Sequence, residues 1–156
     1  MSIAQQIEEL NRAAAAQTEI YDRLTSLTRE LVSALAVNNP SLIAAKAEEG
    51  EALTTKLRSG QYSLMTKLVQ YATACRSGQV EAHAEPPLAE ARGQLRACIN
   101  RLIESARAFS AEQRAAAPLI ANGLAFNGTL LEYVMPQQPG YAASGMAQYQ
   151  RYSNIA

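Results

Sequence analysis

The residues most suited to chemistry are few and scattered. His83 is the single histidine, and it sits in the stretch "SGQVEAHAEPP" with Glu81 and Glu85 close by. That trio could hold a metal or pass a proton. A ligand set, however, needs a second His or Cys at matching spacing, and none is present. His83 therefore reads as an exposed loop histidine. Cys75 and Cys98 stand 23 residues apart, a spacing that matches no metal or redox motif, so they read as free thiols, buried or half-buried. Two carboxylate pairs, Glu8/Glu9 and Glu48/Glu49, are adjacent in sequence. On a helix, neighbours point to different faces and cannot share one substrate. There is no glycine-rich phosphate loop and no nucleophile with an evident base. The chain reads as a non-enzyme without cofactor or metal.

Composition narrows the alternatives. Fourteen basic residues balance fourteen acidic ones, so no net charge draws the chain toward nucleic acid or anionic lipid. The basic residues form no stripe interleaved with aromatics, which argues against nucleic-acid binding. The N-terminal "MSIAQQIEEL" lacks the apolar run of a signal peptide, and no segment reaches the ~20 apolar residues that span a bilayer. The expected location is the cytoplasm, with no membrane insertion. The hydrophobic fraction of 48% is inflated by 30 alanines, and the chain has two Phe and no Trp. Alanine favours helix and buries little area, so slender helices meeting along narrow seams are expected rather than a thick core.

Helices are what would position any functional residue here. Positions 3, 7, 10, 14, 17, 21, 24, 28, 31 and 35 read Ile, Ile, Leu, Ala, Gln, Tyr, Leu, Thr, Leu, Leu, a heptad seam that predicts a helix over about 3–37. The charges between them, including Glu8, Glu9, Arg12, Arg23, Arg29 and Glu30, read as a solvated face. "VNNPS" should end this helix, with Asn39 capping the next and Pro40 in its first turn. A second helix is expected over about 40–76 from Ile43, Leu53, Leu57, Leu64, Leu68, Tyr71 and Cys75. Gly50 and Gly60 lie in the same stripe, at a cost of ~1 kcal/mol each unless a neighbour approaches closely or the helix bends there. "RSGQ" occurs at 58–61 and again at 76–79 and reads as coincidence. A third helix is expected from Pro86 to Ala117, with Leu88, Leu95, Leu102 and Phe109 in its seam. Pro118 should kink or break it near 114–118.

The expected architecture is all-α: an elongated antiparallel three-helix bundle or coiled coil over 1–117, an amphipathic helical arm over 118–135, and a flexible tail over 136–156. The arm, "PLIANGLAFNGTLLEYVM", carries one charge, Glu132, among many apolar residues. Such an arm must fold back, self-associate or cover a partner. The tail holds three of the seven tyrosines, Tyr141, Tyr149 and Tyr152, and one charge, Arg151.

Three stretches carry a family resemblance that extends over nearly the whole chain. "LTSLTRELVSALAVNNPSLI", "PLIANGLAFNGTLLEYV" and "YAASG" resemble the first helix and turn, the C-terminal amphipathic helix and the Tyr-x-x-x-Gly tail of the FlgN-type flagellar export chaperones. Lys46 or Lys56 corresponds to a lysine partway down that family's second helix. Gln113 with Ala116 or Ala117 stands where the family carries paired asparagines. The resemblance implies a cytoplasmic chaperone that binds hook-associated (hook–filament junction) proteins through their terminal helices, prevents premature assembly, and delivers them to the cytoplasmic domain of the flagellar export gate. It implies client contacts through Leu119, Ile120, Leu124, Phe126, Leu130, Leu131 and Val134. It also implies docking on the gate through Tyr141 with Gly145. The competing readings are a structural or adaptor coiled coil that forms a homo-oligomer through its C-terminal helix, and a helical sensor or regulatory bundle.

Overall fold

The computed structural model describes residues 1–77 and 86–134, with side chains as far as Ala125. The described chain is all-α: α1 (Ile3–Ala36), α2 (Pro40–Arg76) and α3 (Pro86–Val134). No strand occurs among the described residues. No helix among them is long and apolar enough to cross a membrane.

Local sequence explains the helix ends. Ser2 accepts a hydrogen bond at its hydroxyl from the Gln5 amide (3.2 Å), and Gln5 Oε1 accepts one from the Ser2 amide (2.8 Å). This reciprocal pair satisfies two donors that a helix start leaves orphaned. α1 stops at Asn38, whose φ of 51° is left-handed. Asn tolerates that region better than most residues. The Asn38 amide then reaches the Leu35 carbonyl (3.1 Å) and the Asn39 amide reaches that of Ala34 (3.2 Å), a Schellman closure. Asn39 starts α2 as expected, its Oδ1 accepting from the Leu42 amide (3.1 Å) ahead of a proline whose fixed φ suits the first turn.

The three helices contribute to two compact units. The first takes Met1–Tyr21 and Lys56–Arg107. Its core is aliphatic: Ile7, Leu10, Ala14, Leu64 and Leu95, with Leu68, Tyr71, Ile99 and Leu102 packed around them. Gln17 is buried here too (3% exposed), and Gly60 makes this workable. A Cβ at position 60 would lie 1.8 Å from Gln17 Nε2. Gly60 thus leaves room for the Gln17 side-chain amide.

The second unit takes Asp22–Thr55 and α3 from Ala108 onward. Leu31, Ala34, Leu35, Ile43, Ala116 and Ile120 form its main cluster, and Leu24, Leu27 and Phe109 are also buried. Thr28 is fully buried because its hydroxyl donates to the Leu24 carbonyl (2.9 Å), leaving no unsatisfied polar group.

Of the kink or break expected near 114–118, the break does not occur: α3 runs through Pro118 for 49 residues. A proline inside a helix forfeits one hydrogen bond and costs about 3 kcal/mol. Pro118 and Arg114 are both exposed, so the Arg114 carbonyl that loses its partner lies on a face water can reach. On the opposite face Ala116 and Ile120 are each 2% exposed. Burying an Ile side chain contributes about 1.5–3 kcal/mol, which offsets much of the proline's cost.

Candidate partner-binding surface

The last part of α3 carries the residues that the family resemblance implies as client contacts, and part of it belongs to the second unit. Gln113, Ala116 and Ile120 continue the seam of Phe109 at helical spacing and are all buried. Ile120 packs with Leu31, Leu35 and Ile43, and Leu124 is half-buried against the same cluster. Gly123 meets Leu35 closely: a Cβ there would lie 3.1 Å from Leu35 Cβ. Leu119, one step off the seam, is 55% exposed.

The expected contact residues thus divide. Ile120 is spent inside the chain, Leu124 partly so, and Leu119 is free to meet a partner. The side chains of Phe126, Leu130, Leu131 and Val134 lie outside the described residues, although the backbone of α3 continues to Val134. Tyr141 and Gly145 lie outside them as well, as do Glu81, His83 and Glu85. Two further apolar side chains of this unit are exposed near the α1–α2 turn, Val37 (71%) and Leu42 (38%).

Charges read from sequence as a solvated face turn out to join helices. Arg23 donates to Glu30 (2.8 Å) and, across to α2, to Glu49 (2.7 Å). Lys46 of α2 lies 2.6 Å from Glu30. The hydrogen bond from Arg23, then that from Lys46, holds the Glu30 carboxyl down to about 2. Arg29 reaches Glu112 of α3 (3.1 Å). Periodicity alone cannot find such pairs, because each needs the alignment of one helix against another. In the first unit Lys67 similarly donates to Glu9, whose carboxyl that hydrogen bond lowers. Glu8 bonds Arg12 on a different face, as adjacent carboxylates on one helix require.

No group of three or more His, Cys, Asp or Glu side chains converges among the described residues. Cys75 and Cys98 are free and half-buried, with the Cys98 thiol directed at the Asn11 carbonyl (3.5 Å). Burial raises the Tyr71 hydroxyl, and Cys75 beside it adds to the rise. Gln113 is 3% exposed, and its Nε2 finds no hydrogen-bond partner among the described residues.

The chain matches no family model, no curated protein and no solved structure.

Proposed function

We propose that this protein is a cytoplasmic export chaperone of the FlgN type, which holds hook-associated proteins unassembled and passes them to the flagellar export gate. The fold we infer for it is an antiparallel three-helix bundle. A client-binding helix lies at the C-terminal end of α3, followed by a flexible tail. The observation that carries the reading is the length of α3, 49 residues against 34 in α1 and 37 in α2. Its excess lies in a segment with a single charge, Glu132.

A client's terminal helix is amphipathic and would otherwise pack into a growing filament. The end of α3 offers a complementary apolar face in a helix-in-groove or coiled-coil mode. With Ile120 and Leu124 committed to the chain's own core, the remaining candidates for client contact are Leu119, Phe126, Leu130, Leu131 and Val134. Burying about 500 Å² of apolar area yields on the order of 12 kcal/mol before ordering costs, which supports micromolar or tighter binding without site chemistry. Tyr141 would then anchor the tail on the gate, its ring supplying apolar area and its hydroxyl a polar tip.

The test is co-purification of the full chain with hook-associated proteins. Leu119→Asp and Leu131→Asp should each reduce capture at least about tenfold while leaving the helical content unchanged. Tyr141→Ala should keep client capture and weaken gate binding. Undiminished capture by both Asp variants would remove the client assignment. A dimer that dissociates in Leu131→Asp, with no client bound by wild type, would favour the homo-oligomeric coiled coil instead.

A further inference from the structure

The repeated "RSGQ" acquires a structural meaning on α2. Arg58 and Arg76 are 18 residues apart, five helical turns, so they project from the same face about 27 Å from each other. Between them Tyr62, Met65 and Val69 are 79%, 62% and 58% exposed. At 100° per residue, these five side chains fall within about 60° of arc. The face is an apolar strip with a cation at either end, and it lies wholly within the first unit.

Two further observations bear on what could cover it. Thr66 and Thr73 border the strip and are exposed, yet their hydroxyls donate back to the Tyr62 (3.0 Å) and Val69 (2.9 Å) carbonyls. Covering them would strand no donor. The other observation is charge. α2 contains no acidic residue after Glu51, which lies two turns before Arg58. Neither Arg58 nor Arg76 forms an ion pair among the described residues.

We infer that this strip is a docking site for an amphipathic helix of another protein, with an apolar stripe of about three turns and an acidic residue at each end. A second copy of the same strip is a poor occupant. Paired antiparallel, Arg58 of one copy opposes Arg76 of the other at both ends; paired in parallel, like meets like. The chain's own residues 136–156 are equally unsuited, because their single charge is Arg151. Opposite charges at the rim of an apolar contact fix register and partner choice. The inference stands on α2 alone and is independent of the chaperone reading.

The test uses full-length protein and two fluorescein-labelled synthetic helices. Both carry the same apolar stripe; one has Glu at the two ends, the other Lys. Fluorescence anisotropy should show the Glu peptide binding at least about tenfold more tightly, with the gap narrowing at high salt. Met65→Glu, a substitution at an exposed position checked for fold by circular dichroism, should abolish binding of both peptides. Arg58→Glu with Arg76→Glu should invert the preference, so that the Lys peptide binds better. Equal affinity for the two peptides in wild type, or no inversion in the double variant, overturns the inference. So does a dimer disrupted by Met65→Glu, which would make a second copy the occupant. Flotation with phosphatidylserine vesicles in the absence of peptide binding would assign the strip to a lipid surface, with the same consequence.

Discussion

The two compact units solve the same packing problem with different materials. The first rests on an aliphatic seam, Ile7, Leu10, Ala14, Leu64 and Leu95, with a buried Gln17 laid over Gly60 and the Glu9–Lys67 pair joining α1 to α2. The second has an aliphatic cluster of its own but adds a four-residue charge network, Arg23, Glu30, Lys46 and Glu49, between α1 and α2. Aliphatic contact is indifferent to proton concentration, whereas ion pairs are not. Sensitivity to cavities should therefore be shared, and sensitivity to acid should concentrate in the second unit.

The largest effects should come from the cores. Leu10→Ala and Leu24→Ala, both at fully buried positions, should each cost about 3–4 kcal/mol in urea unfolding. A cost under about 1 kcal/mol at either would show that one seam is looser than its burial implies. Ile120→Ala should cost about 2–4 kcal/mol, because Ile120 belongs to the core of the second unit. If it costs no more than a surface change, Ile120 does not anchor the C-terminal part of α3 to that core.

A smaller effect separates Gly60 from an ordinary helical glycine. Alanine normally gains about 1 kcal/mol over glycine in a helix. Here Gly60→Ala should lose that gain by displacing Gln17, and the gain should return in the Gln17→Ala background. A double-mutant coupling near zero would mean that Gln17 moves aside freely.

The acid response follows from Glu30. Its folded-state pKa is lowered, so its contribution is fully present above the ordinary carboxylate value and is lost as pH falls from about 4.5 toward 2. Glu30→Gln should flatten the acid limb of stability over that range. An acid limb identical to wild type would show that the network contributes nothing measurable, as exposed ion pairs often do. The smallest effect belongs to Leu119→Asp, exposed and off the seam, which should change stability by no more than about 0.5 kcal/mol.

The sequence was most readable where one helix decides its own fate. The α1 seam is legible from spacing, since Ile7, Leu10, Ala14, Leu24, Leu31 and Leu35 fall on one stripe and are all buried. The Asn39–Pro40 start of α2 is equally local. Reading failed where two helices decide together. Pro118 signals a stop by its own chemistry, and the burial of Ala116 and Ile120 against α1 and α2 offsets much of its cost. Arg23 and Glu30 look solvated until the alignment of α1 with α2 brings Glu49 and Lys46 beside them. At the candidate surface, sequence named Ile120 and Leu119 together as apolar. Only packing separates the one that holds the fold from the one that can meet a partner.

The turn between α1 and α2 has a consequence in time. Three residues, 37–39, complete the closure of one helix and the cap of the next, so the chain reverses with little loop entropy to overcome. Contacts so near in sequence form quickly. During refolding the segments flanking this turn should gain protection first, and pulsed hydrogen exchange should find the amides of 27–50 protected before those of 108–125. The α1–α2 corner would then be the template onto which α3 docks, and a variant slowing that corner, such as Asn39→Ala, should delay both.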